Sequence, residues 1–321
     1  MNANGEITLQ HIRDAAARIA PHAHVTPVLR STSLDELAGC ELHFKAEHLQ
    51  RVGAFKFRGA SNAVFSLDGE TAARGVLTQS SGNHGAAIAL ACKLRGIDAT
   101  VVVPKTVAPV KLAAIEGYGA RIMFCEPTMQ SRDEVTAKLL AESGAEVIHP
   151  FDDPRVIAGQ GTVALELLQQ VERLDAIVAP VSGGGLLSGI AIAAKSIHPD
   201  IEVFGAEPGG ASDAHDSLAE GRRITGRIAD TICDGLRGQL SERTFALIRA
   251  HTDGILLAGD DEVRDAMRWI YSRAKQVVEP SGAIGLAVVR KHRERFRGKR
   301  VGIVLSGGNV DLSALFPEGA G

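Results

Sequence analysis

From Val76 onward the chain alternates short apolar runs with longer amphipathic stretches, and that rhythm restricts the fold more than any other feature. Val76–Thr78, Ala99–Val103, Arg121–Phe124 and Glu146–His149 read as strands. Between them the spacing predicts helices over Ala86–Leu94, closed by Gly96, over Val110–Glu116, ending near Gly119, and over Glu134–Leu140. The pattern continues with a helix over Val163–Val171, a strand over Ala176–Val181 and a helix over Leu186–Ala194. Val203–Ala206 and Val301–Leu305 are later strands, with a helix over Glu262–Ala274 between them. Near the start, Ile12, Ala15, Ala16 and Ile19 recur at helical spacing behind Thr8, an N-cap residue. Short apolar strands separated by amphipathic helices form mostly parallel sheets covered on both faces, so the expected class is α/β. No low-complexity linker or fixed-period repeat divides the chain. Two domains would therefore interleave, crossing at Leu67–Arg74 and Pro150–Pro154: residues 1–70 with 153–321 as a large domain and 71–152 as a small one.

A net charge of −3 with no basic block argues against nucleic acid as a partner. No apolar run reaches the roughly 20 residues that span a membrane, and Met1–Ile7 lacks the pattern of a signal peptide. Cys40, Cys92, Cys125 and Cys233 are dispersed, as reduced thiols of a cytoplasmic protein would be.

Several segments could carry chemistry. In Gly53–Ala60, Lys56 stands between Phe55 and Phe57. Burial beside apolar rings suppresses the charge of an amine and makes it a nucleophile for Schiff-base chemistry; a lysine in an exposed strand would merely be solvated. Ser80-Ser81-Gly82-Asn83-His84-Gly85 lies between a strand and a helix, where free N–H groups suit a carboxylate, or where an ordinary polar N-cap would sit. Ser182-Gly183-Gly184-Gly185-Leu186 has the same context, and consecutive glycines let the main chain wrap a phosphate. Ser188 occupies the place of the third dinucleotide-binding glycine, which disfavours a nicotinamide enzyme. Ser306-Gly307-Gly308-Asn309 is a third such turn. All three follow strands, so they could converge on one cleft with Lys56, or remain independent loops. Glu207 and Asp213, with an accessible backbone carbonyl in the glycine-rich turn between them, would suit a hard cation that retains water, or else be two solvated acids.

Together with Phe55–Ala60, Ser80–Gly85 and Ser182–Leu186, the segments Ala158-Gly159-Gln160-Gly161-Thr162, Glu279-Pro280-Ser281-Gly282 and Ser306–Asp311 resemble the fold type II pyridoxal-phosphate enzymes in order and spacing. The likeness points to the branch holding serine racemases and serine/threonine dehydratases, including 3-hydroxyaspartate dehydratases. It implies that Lys56 carries pyridoxal 5'-phosphate as an imine, that Ser182–Leu186 hold its phosphate, that Asn83 bonds its ring hydroxyl and that Ser306 faces its ring nitrogen. Ser80, Ser81, Gly82, Asn83 and His84 would receive the substrate carboxylate, and Arg132 matches an arginine that racemases place nearby. The branch's Mg²⁺ or Ca²⁺ site would fall on Glu207, Ala211 and Asp213, and its members suggest a homodimer. Two departures stand out. Ser182 opens the phosphate turn where many relatives have glycine, and Arg51-Val52 replaces a Lys-Thr pair near the nucleotide site of animal serine racemases, so nucleotide activation is not expected.

The expected reaction is elimination of water from serine, threonine or 3-hydroxyaspartate, giving a 2-oxo acid and ammonia, with Lys56 as the base. A serine at the ring nitrogen disfavours a long-lived carbanion, and a β-hydroxyl leaving group resolves that charge. Ser81, on the opposite side of the cofactor, would permit racemisation as the alternative. A β-replacement synthase, a nicotinamide oxidoreductase and a non-catalytic binding protein are the rivals.

Overall fold

The computed structural model describes residues 6–80, 82–107 and 109–310. Two sheets carry the fold. The larger has the order β1-β2-β10-β7-β8-β9, from β1 (Val28–Leu29), β2 (Glu41–Lys45), β7 (Ala176–Pro180), β8 (Glu202–Pro208), β9 (Gly254–Ala258) and β10 (Arg300–Val304). The smaller has the order β5-β4-β3-β6, from β3 (Val76–Gln79), β4 (Ala99–Pro104), β5 (Arg121–Cys125) and β6 (Glu146–Val147). Every pairing is parallel except β1 with β2. Strand β7 is buried at all five positions, as expected where helices cover both faces. The expected α/β class is the one observed.

The helices run longer than their apolar spacing predicts. Thr8 stands at the N-cap of Leu9–Ile19, its N–H donating to His11 Nδ1 at 3.1 Å, and Gly96 ends Asn83–Arg95 in the left-handed region, φ 74°. The helix expected at Val163 starts instead at Pro154, behind an Asp153 cap, and runs to Gln170. It therefore contains Gly159 and Gly161. Those glycines are contact points: a Cβ on Gly159 would lie 2.6 Å from Gly59 Cα, and one on Gly161 would lie 2.8 Å from the Gly189 carbonyl. Helices Lys56–Phe65 and Gly185–Ile197 thus press backbone-to-backbone on Pro154–Gln170. The Ala158–Thr162 motif is a packing seam.

Beside the seam lies a buried ion network. Arg58 donates to Glu47 at 2.7 and 2.8 Å and to Glu166 at 2.7 and 2.8 Å; Lys45 donates to Glu166 at 2.7 Å. Burial would lower the Arg58 pKa, but Glu47 and Glu166 hold it above its ordinary value. No helix among the described residues is long and apolar enough to cross a membrane.

Candidate active site

The residues after β3, β7 and β10 all line one cavity of about 300 Å³, together with Lys56. Gly53–Ala60 is not a strand: Ala54 bridges Gly307, the Phe55 N–H donates to the Ser306 carbonyl at 3.0 Å, and Lys56 opens a helix. The turn is thereby stitched to the end of β10. Phe55 places its ring 5.2 Å from the Lys56 amine, whereas the buried Phe57 ring faces Arg51.

Lys56 Nζ donates to the Pro150 carbonyl at 2.8 Å and has no carboxylate partner among the described residues. Burial lowers its pKa from 10.5 to about 8. In the same cavity, Ser182 (φ 54°) and Gly184 (φ 85°) shape the glycine turn, and Gly184 caps Gly185–Ile197 without a side-chain bond. Gly183, Gly184, Gly185 and Leu186 line the cavity where that helix begins, a place that leaves backbone N–H groups free, although the Gly184 N–H donates to the Val181 carbonyl at 3.1 Å. The Phe151 ring packs on Gly183, where any Cβ would strike it. Ser306 is buried, and its hydroxyl donates to the Ser281 carbonyl at 3.4 Å.

Asn83 starts its helix and donates to Glu279 at 3.0 and 3.3 Å, while its carbonyl oxygen accepts from Asn309 at 2.9 Å. Burial raises the Glu279 pKa to about 7 against the opposing Asn83 bond. Ser80, Gly82 and His84 line the same wall; Ser81 and Asp311 lie outside the described residues. Burial, reinforced by the charge of Lys56, holds the His84 pKa well below its ordinary value, so the imidazole is neutral. Arg132 reaches the cavity from the helix Met129–Ser143, and its Nε is buried with no partner among the described residues.

Pro150, Phe151, Lys111, Asp234, Gly238 and Glu279 also line the cavity, and none of them is a candidate site residue from the sequence alone. Lys111 and Asp234 form an ion pair across the cavity, 123 positions apart, which no local motif could signal. The Glu279 segment had been noticed only as a motif.

Glu207, Ala211 and Asp213 lie elsewhere, at the end of β8 and the start of the helix Asp213–Glu220. Glu207 accepts the N–H groups of Ala214 and His215 at 3.0 and 2.8 Å. Burial raises its pKa to about 8 and that of Asp213 to about 6, and Asp213 Oδ2 has no partner among the described residues. Among those residues no three acids, histidines or cysteines cluster as ligands. Two buried carboxylates with an orphaned oxygen and a nearby carbonyl still form an oxygen donor set that fits a hard cation.

A desolvated amine that lines one cavity with a glycine turn at a helix N-terminus likewise fits pyridoxal phosphate. The family profile described as "Pyridoxal-phosphate dependent enzyme" matches residues 19–307. The serine racemase of Arabidopsis thaliana is 51% identical over 310 residues, covering 95% of this chain and 94% of the relative. The beta-hydroxyaspartate dehydratase of Paracoccus denitrificans is 46% identical over 308 residues, covering 96% and 98%. The solved structure of maize serine racemase superposes with a TM-score of 0.95 at 46% identity, covering 96% of this chain and 95% of that one.

Proposed function

The chain belongs to the family of pyridoxal-phosphate dependent enzymes, and we propose that it eliminates water from a β-hydroxy-α-amino acid and that hydrolysis of the enamine so formed takes up one water to release a 2-oxo acid and ammonia. One observation carries this reading: the desolvated Lys56 amine, without a carboxylate partner among the described residues, lines one cavity with the glycine turn and with Ser80, Gly82, Asn83, His84 and Ser306.

We assign the cofactor to Lys56 for its aldehyde carbon, to the N–H groups of Ser182–Leu186 for its phosphate, to Asn83 for its ring hydroxyl and to Ser306 for its ring nitrogen. When bound, pyridoxal phosphate supplies an electron sink for the Cα carbanion. With a pKa near 8, Lys56 holds enough free amine at neutral pH to take the proton at Cα. The N–H groups of the Ser80–His84 turn hold the α-carboxylate, aided by the field of the Asn83–Arg95 helix. The Ser306 hydroxyl, unlike a carboxylate, does not hold a proton on the ring, which favours prompt loss of a β-hydroxyl. Besides Lys56, Arg132 is the cation lining the cavity that has no carboxylate partner among the described residues, and it supports 3-hydroxyaspartate as a substrate. The neutral His84 is a poorer partner for that second carboxylate.

Racemisation is the second reading, favoured by likeness to serine racemases and by Ser81 as the group that would return a proton to Cα from the other side. We also propose a Mg²⁺ (or Ca²⁺ or Mn²⁺) bound by Glu207, Asp213 and the Ala211 carbonyl. The division into residues 1–70 with 153–321 and residues 71–152, a homodimer and a cytoplasmic location complete the proposal. Release of 2-oxo acid from serine, threonine and 3-hydroxyaspartate, with Mg²⁺ and with chelator, is the test. If none yields ammonia while serine enantiomers interconvert, the racemase reading replaces elimination.

A further inference from the structure

Ser182 is held in a conformation that its side chain disfavours. Among the described residues only Val52, Ser182 and Lys275 are non-glycine residues with positive φ. Three glycines follow Ser182, and a fourth at this place would adopt φ 54° without strain. The hydroxyl therefore has to be accounted for by what it touches. Ser182 Oγ accepts the N–H of Gly238 at 3.3 Å. Gly238 ends a strap, residues 234–238, that forms one wall of the cavity. At its other end the Gly235 N–H donates to Ser281 Oγ at 3.1 Å, and the Ser281 carbonyl receives the Ser306 hydroxyl. The strap thus runs from the glycine turn to the Ser306 turn, and Asp234 on it pairs with Lys111, which also lines the cavity.

A hydroxyl has one proton to give and two lone pairs. At Ser182 one lone pair is used by Gly238, and no acceptor for the proton exists among the described residues. We infer that Ser182 is a positioning residue whose hydroxyl proton is donated to the phosphate of pyridoxal phosphate while its oxygen holds Gly238, so that one side chain fastens both anion and strap. This rests on the cofactor assignment above and adds to it. The backbone N–H groups of the glycine turn are common to any residue at position 182, whereas this bond requires the serine.

The test compares Ser182→Ala and Ser182→Gly, each titrated in cofactor-free form with pyridoxal phosphate and with pyridoxal, followed by visible absorbance. Loss of a charge-assisted bond should weaken pyridoxal phosphate binding roughly tenfold in both variants, and leave pyridoxal binding unchanged. The ³¹P resonance of the bound phosphate should shift. Both variants lack the hydroxyl and differ in backbone strain, so cofactor-free Ser182→Gly should melt about 2–4 °C above Ser182→Ala. Undiminished pyridoxal phosphate affinity in Ser182→Ala, or equal weakening for both vitamers, would overturn the inference; so would equal melting of the two variants. A wild-type protein that never develops the visible band would overturn the cofactor assignment itself, and this inference with it.

Discussion

Replacing Gly159 by alanine sets two effects of opposite sign against each other. Taken as a helix-interior position alone, the change should stabilise the protein by about 0.8–1 kcal/mol. The seam reverses that. The new methyl would lie 2.6 Å from Gly59 Cα, 2.7 Å from the Arg58 carbonyl and 2.9 Å from Asn62 Cβ. Carbon atoms rest at about 3.5–4.0 Å, so the two helices must part by roughly 1 Å. Overpacking of this kind costs about 1–3 kcal/mol. Parting also stretches the bonds from Arg58 to Glu166, which belong to the two helices being separated. The expected net is a loss of about 2 kcal/mol, since partial failure of a buried ion pair adds to the overpacking. Urea unfolding should show this as a lower midpoint at unchanged slope. Gly117→Ala is the control: nothing lies within 4 Å of its added methyl, so it should be neutral or slightly stabilising. If Gly159→Ala proves as stable as the parent, the seam does not constrain the Lys56 helix as described.

Other expectations concern charge. In the cofactor-free protein the Lys56 pKa is about 8 against 10.5 when unfolded, so the folded state binds fewer protons between those values. Stability should therefore rise with pH across that window, and the rate of pyridoxal phosphate attachment should rise and level off above about pH 8; a plateau only near 10.5 would refute the burial of the amine. Arg58→Met should cost roughly 3–5 kcal/mol by stranding Glu47, while Glu166 keeps Lys45, and adding Glu47→Gln should recover part of that loss in a double-mutant cycle. Chelator should lower the melting temperature and Mg²⁺ restore it, by up to about 2.7 kcal/mol at a hundredfold excess over Kd. No response to either would remove the cation from Glu207 and Asp213.

Much of the small sheet was legible because its strands are apolar and its helices begin and end at local signals such as Gly96. The convergence of three strand-end turns was legible too, since parallel sheets gather ligands at one edge. What escaped was set by distant partners. Strand β2 holds His43 and Lys45, and the latter reads as exposed until Glu166, Gln170 and the Thr26 carbonyl surround its ammonium. Gly159 and Gly161 look like helix breakers until another backbone is seen lying against them. The Lys111–Asp234 pair has no local signature at all.

The smaller sheet is reached through the Lys56 helix and left through the Pro154 helix, and these two meet at Gly59 and Gly159. That junction is also bolted by side chains, since Arg58 reaches Glu166 and Asn62 reaches the Arg155 carbonyl across it, so the Lys56 amine is fixed to the frame from which the smaller sheet hangs.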